Sequence, residues 1–137
     1  MELISIIKAA AIASGVSANT LVALCGVESS LNPEAINYSD RGEPSIGLCQ
    51  VKLSTAQWLK CANTRQDLFR ADINAQCAGE YLAYQLNRYN GNYARAITAY
   101  NAGRDTKSRT YYNKVRGRQR ENQKTKGSAK RAHGPND

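Results

Sequence analysis

The chain has 137 residues and a mass of 15.0 kDa, room for one domain and too little for two of ordinary size. Apolar residues make up 42% of it and charged residues 22%, which excludes wholesale disorder and low-complexity sequence. The net charge of +8 points toward nucleic acid, but residues 1–103 hold 8 basic and 8 acidic side chains while residues 104–137 hold 11 and 3, so the excess belongs to the C-terminal end alone.

No apolar run approaches the roughly 20 residues a membrane span needs. At the N-terminus Glu2 precedes the apolar stretch and Lys8 interrupts it, which argues for a first helix over about 2–13 rather than a secretory signal. Ser14-Gly15 stops that helix, and Ser17 is placed to cap a second over about 18–30, with Asn32-Pro33 where the chain leaves it. Residues 37–45 are Asn, Tyr, Ser, Asp, Arg, Gly, Glu and Pro ending on Ser45, a polar loop or small irregular hairpin. Ser54-Thr55-Ala56-Gln57 has the form of a capping box and predicts a short helix carrying Trp58 and Leu59.

Asp72 is placed to cap a longer helix to about residue 89, with Ile73, Cys77, Tyr81 and Tyr84 as its apolar stripe. Asn90-Gly91-Asn92 is a turn, 93–102 a helix closed by Gly103, and about 106–115 a last short helix. After Gly117 no residue bulkier than alanine in apolar character remains, and the stretch is expected to be a disordered basic tail. Val, Ile and Thr form none of the alternating runs that strands require. The expectation is a mainly α domain over 1–116, with about six helices and one irregular or hairpin loop, followed by a tail over 117–137.

The four cysteines lack metal-site spacing, and the single histidine, His133, lies in the tail, so no metal or cofactor is expected. Cys25 and Cys49 lie inside apolar patterns and read as small buried hydrophobes, whereas Cys61 and Cys77 flank a polar connection and could be bridged.

The most informative side chain is Glu28. Leu21, Leu24, Cys25 and Glu28 follow the i, i+3, i+4, i+7 rule, which puts a carboxyl on the face that should be buried. Desolvation there raises a carboxyl pKa, the condition a general acid needs near neutral pH. The alternative is a helix-end Glu that swings to water or pairs with an Arg.

The surrounding motifs decide between these. Glu28-Ser29 is followed by Asn32-Pro33, Gly47-Leu48-Cys49-Gln50, Asp72-Ile73-Asn74 with Tyr81-Leu82, Ala99-Tyr100-Asn101-Ala102-Gly103, and Tyr111-Tyr112 with Val115. In this order and spacing, over residues about 3–116, the sequence resembles the soluble lytic transglycosylase family and the related goose-type lysozymes, which cut peptidoglycan. The resemblance implies a lysozyme-like fold, with Glu28 as catalytic acid and base. It implies a sugar cleft lined by Gln50, Tyr100 and Asn101, Ser29 supporting the helix end and the substrate site, and a tyrosine near the end of the domain pointing at Glu28. Tyr112 is preferred over Tyr111 for that place because its spacing of three to Val115 puts the two on one helix face. Cys49 stands where the family usually has Met, which predicts a change of packing rather than lost activity.

The implied reaction cleaves the β-1,4 bond between N-acetylmuramic acid and N-acetylglucosamine, without metal or cofactor, and leaves 1,6-anhydro ends. Asp40-Arg41-Gly42 resembles a stretch of goose-type lysozymes whose Asp is proposed to hold water, so Asp40 keeps hydrolysis open, although Lys52 stands where those lysozymes carry another Asp. A reading of a different class, nucleic-acid binding through the basic tail, explains none of the core motifs. The expected partners are glycan strands and, through the tail, anionic envelope polymers, with no specific nucleic acid, no membrane span and a monomeric chain. The expected setting is the bacterial wall, reached without a signal peptide from a phage virion or lysis system, with a conjugation or secretion accessory as the alternative.

Overall fold

Helix α1 (Leu3–Ser14) is capped at both ends by its own sequence: the Glu2 carboxylate accepts from the backbone N–H of Ile4 and Ser5, and Gly15 turns the chain at φ 74°. Helix α2 (Ala18–Ser29) starts the same way, with Ser17 Oγ accepting from Thr20 N at 3.2 Å. Both helices lie within one residue of their predicted bounds. The computed structural model describes residues 2–38 and 42–133, and side chains as far as residue 124.

Residues Thr20 to Gly26 of α2 are buried on every side of the helix. A helix with no polar face belongs at the centre of a fold, and α2 packs between α1 and the last helix, α7 (Thr110–His133). Leu21, Leu24 and Cys25 are fully buried, each of the leucines contributing about 1.5–3 kcal/mol through apolar burial.

The polar loop is the hairpin part of a three-stranded antiparallel sheet. Strands β1 (Ile36–Asn37), β2 (Ser45–Ile46) and β3 (Val51–Lys52) lie in sequence order, with Ile46 opposite both Ile36 and Val51. Helix α3 (Leu53–Leu59) follows directly. Its start corrects the expected capping box: Lys52 is the N-cap but its side chain does not cap the helix, and Ser54 donates from its backbone N–H and its hydroxyl to the Glu43 carboxylate. An acid from the hairpin thus sits at the helix N-terminus, where the macrodipole favours negative charge. The reciprocal capping box is at Thr64 and Asp67, opening the single-turn helix α4 (Arg65–Leu68).

Helix α5 (Ala71–Arg88) is the long one. Asp72 lies inside its first turn, paired with Arg70 at 3.0 Å, rather than at the N-cap, which is Arg70. Its buried face includes Asn74, Cys77, Ala78, Leu82 and Gln85, offset from the expected stripe because α1 covers one side while Tyr81 and Tyr84 turn toward a cleft. At Gly79 a Cβ would fall 2.6 Å from Ser14 Oγ, so the missing side chain is what lets α1 cross this closely. Helix α6 (Tyr93–Ala102), capped by Asn92 and ended by Gly103, matches its predicted bounds.

Among the described residues, seven helices and a small antiparallel sheet make the mainly α, lysozyme-like architecture that was expected. No helix among the described residues is long and apolar enough to cross a membrane.

Two further expectations are corrected. Cys25 and Cys49, read as small buried hydrophobes, are buried but bonded to each other, whereas the Cys61–Cys77 bridge is the one the sequence allowed. The last helix does not stop near Val115; α7 continues to His133, through residues expected to be disordered. Arg, Gln, Lys and Glu are strong helix formers, so once Val115 anchors the first turns in the core, elongation needs no further apolar contact. Residues 134–137 lie outside the described part.

Candidate active site

The sharp turn between β2 and β3 is tightly constrained. Gly47 adopts φ 79°, and a Cβ there would land on the Leu68 carbonyl oxygen and the Asn74 amide, so only glycine fits. Gln50 is itself left-handed at φ 55°, a conformation that a non-glycine residue holds only when its surroundings enforce it.

Three side chains enforce it. Asn74, fully buried on α5, accepts from Cys49 N at 2.8 Å and donates its Nδ2 to the carbonyls of Ile46 and Leu68, each at 2.8 Å. Tyr100 on α6 donates its hydroxyl to the Cys49 carbonyl at 2.9 Å. Ser29, at the end of α2, donates its hydroxyl to the Leu48 carbonyl at 2.6 Å. The Cys25–Cys49 disulfide then ties this turn covalently to α2, three residues before Glu28.

Glu28 is thereby fixed relative to Gln50 from both sides. It is half-buried at the last turn of α2 and opens into a cleft of about 480 Å3 whose walls include Gln50, Tyr81, Tyr100 and Asn101. Gln50 donates Nε2 to the carbonyls of Ala35 and Gly47, at 3.1 and 3.0 Å, so part of its side chain braces the turn.

The field of Glu28 reaches two tyrosines. Burial, followed by the Glu28 charge, pushes the Tyr100 hydroxyl well above the usual tyrosine range. Tyr111, on the first turn of α7, is shifted the same way for the same two causes, with an interaction of its hydroxyl with Glu28 adding to them. That hydroxyl is buried and makes no hydrogen bond of ordinary geometry, so it faces the carboxyl in a looser contact. Both phenols therefore stay neutral beside the acid.

Most of the residues singled out in the sequence meet here. Glu28, Gln50, Tyr100 and Asn101 share the cleft, while Ser29 is turned into the protein as a brace. Tyr111 rather than Tyr112 approaches Glu28. The stripe of α7 that faces α2 runs through Tyr111, Val115 and Arg118, the guanidinium of Arg118 lying over Gly26, and Tyr112 falls one position off it. Asp40 lies outside the described residues. Glu43 was not singled out, yet it lines the cleft as the second described carboxylate there, with both oxygens engaged by Ser54. Asn74 stood in a motif but was given no role, although a polar residue at spacing four from Ala78 and eight from Leu82 signals a buried amide with a backbone to hold.

Neither Glu28 nor its neighbours form a metal-binding cluster; no group of three potential metal ligands occurs among the described residues. What the arrangement can do is deliver a proton from a fixed carboxyl into an open groove bordered by aromatic rings and amides. No solved structure matches the chain significantly. The family described as transglycosylase SLT domain matches residues 5–133, nearly the whole chain and well into α7. The chain belongs to this family, whose members are peptidoglycan-cleaving lytic transglycosylases.

Proposed function

We propose that the protein cleaves the β-1,4 bond between N-acetylmuramic acid and N-acetylglucosamine by intramolecular transfer, with Glu28 as the one acid and base. The observation that carries this is the half-buried Glu28 carboxyl opening into the cleft, close enough to the neutral hydroxyls of Tyr100 and Tyr111 for its charge to act on both. Protonated Glu28 gives its proton to the bridging oxygen. The bond from that oxygen to the muramyl anomeric carbon breaks, its electron pair leaves with the N-acetylglucosamine, and an oxocarbenium-like muramyl ring remains. The 6-hydroxyl of the same ring attacks the anomeric carbon, and the ionised Glu28 takes its proton, closing a 1,6-anhydro end and restoring the acid.

A single carboxylate suffices for both steps. In support, Glu43, the other described carboxylate of the cleft, already has both oxygens committed to Ser54. The hydrolytic alternative gives Asp40 the task of positioning water. Gln50, Tyr100 and Asn101 are assigned to binding the sugars and Ser29 to positioning, and Tyr111 takes the place beside Glu28 first assigned to Tyr112. No cofactor enters the scheme.

The basic residues of α7, among them Lys114, Arg116, Arg120 and Lys124, are assigned to screened attraction toward anionic envelope polymers rather than to specific nucleic-acid binding. Binding to sacculi that weakens steeply with salt, and lessens when 117–137 is removed, checks this role. A monomer acting from a phage virion or lysis system is the setting proposed, with a conjugation or secretion accessory as the alternative, and genomic neighbourhood decides between them. The test of the chemistry is digestion of purified sacculi followed by mass spectrometry. Anhydro ends support the transfer, and reducing ends support hydrolysis.

A further inference from the structure

The cleft does not end at Tyr81. It continues into a second depression of about 270 Å3 that shares Ser54, Thr55, Tyr81 and Gly103 with it and adds Trp58, Tyr84 and Arg88. Four aromatic rings run in sequence along this path. The Tyr81 ring lies 5.2 Å from Tyr100, Tyr84 lies 6.3 Å from Tyr81 and nearly parallel to it at 7°, and Trp58 meets Tyr84 edge-on at 4.8 Å. Exposure rises along the run, from 7% at Tyr100 to 38% at Tyr84 and 59% at Trp58.

An indole left this open on a short helix is not there for the core, since Ala56 is the fully buried residue of α3. The edge-on contact with Tyr84 holds the ring in place and leaves apolar surface toward the groove. The face of a pyranose ring presents C–H groups that pack on such a surface, while its hydroxyls, acetamide and any carboxylate need polar partners around the rim. Those partners are present. Ser54 and Thr55 border the depression, and Arg88 is held at it by donating to the Gly103 carbonyl at 3.0 Å.

We propose that Trp58, Tyr84 and Arg88 form a saccharide subsite that takes an N-acetylated sugar of the same glycan strand, outside the pair whose bond is cut. The inference rests on the reading of the Glu28 cleft as a glycan site, with which this rim is continuous. It makes strand length a determinant of affinity: strands that reach the rim bind more tightly than fragments that fill only the Glu28 end.

Trp58 is the single tryptophan of the chain, so it reports on its own subsite. The full-length Glu28→Gln protein, which holds strands without cutting them, is titrated with peptide-free, size-fractionated peptidoglycan glycan strands. Tryptophan emission should change with long strands and not with the shortest that bind. By calorimetry, adding Trp58→Ala should weaken binding of long strands about tenfold and leave the shortest unaffected, with Trp58→Phe recovering most of the loss. Equal affinity of Glu28→Gln with and without Trp58→Ala at every length, and emission indifferent to long strands, would overturn the subsite while leaving the cleft reading intact. Failure of Glu28→Gln to bind strands of any length would overturn both.

Discussion

The two disulfides hold the two ends of one groove, and they hold them differently. Cys25–Cys49 joins the Glu28 helix to the Gly47–Gln50 turn, where Asn74, Tyr100 and Ser29 bond to the same few backbone groups. Cys61–Cys77 joins the end of the Trp58 helix to α5, where ring contacts among exposed aromatics are the main company. A proton donor, the role proposed for Glu28, must be placed to a fraction of an ångström, and the many short directional bonds at that end fit such a demand. A stacking surface tolerates sliding, so the rim can rely on ring contacts and one covalent tie.

The sharpest way to break this comparison is at Gly47. Gly47→Ala forces a Cβ into the Leu68 carbonyl and the Asn74 amide at a left-handed position, and should destabilise the fold by about 3 kcal/mol or more, measured by denaturant unfolding. Retention of wild-type stability would mean that the turn is not as tightly held as described.

Next come the disulfides themselves. Cys25→Ala with Cys49→Ala, and Cys61→Ala with Cys77→Ala, should each destabilise by about 2–4 kcal/mol, nearly alike because the loops span 24 and 16 residues. Their activities should separate. The first pair loosens Glu28 against Gln50 and lowers kcat, and the second acts chiefly on KM for long strands. Equal kcat losses in the two would erase the distinction between the ends.

Much of the fold was legible because its signals are local. Ser17, Gly15 and Gly103 cap or end their own helices within a few residues, as their residue types imply. What was not legible depends on partners far along the chain. The carboxylate that takes up the Ser54 N–H at the start of α3 is Glu43, eleven residues away. The pairing of Cys25 with Cys49 needs the turn folded against α2 before the two sulfurs meet. The choice between Tyr111 and Tyr112 depends on which stripe of α7 faces α2, and a spacing to Val115 of three or four is helical in either case. In the site, the family motifs carried Glu28, Gln50 and Tyr100 and named Asn74 without a role, whereas Glu43 shows only once the backbone N–H it accepts from is seen.

A smaller effect sharpens that last choice. Tyr111→Phe removes the hydroxyl facing Glu28 and should lower kcat about tenfold with an altered pH profile, while Tyr112→Phe should leave both near wild type. The reverse pattern would return the role to Tyr112.

The least effect is at high pH. Tyr100 and Tyr111 have pKa values raised in the fold, chiefly by burial and then by Glu28, so the stability they contribute is fully present below the ordinary tyrosine pKa of about 10 and declines as pH rises above it. Unfolding followed through that range should show an alkaline loss that Tyr111→Phe reduces. An alkaline limb unchanged by Tyr111→Phe would mean its phenol is not held neutral by the fold.

The central claim is that one carboxyl, Glu28, does the chemistry in both directions of proton transfer. Digestion of purified sacculi by wild type and Glu28→Gln, with products read by mass spectrometry, tests it most directly. The account predicts soluble muropeptides with 1,6-anhydro ends from wild type and essentially none from Glu28→Gln at unchanged fold stability. Equal release by the two proteins would contradict it.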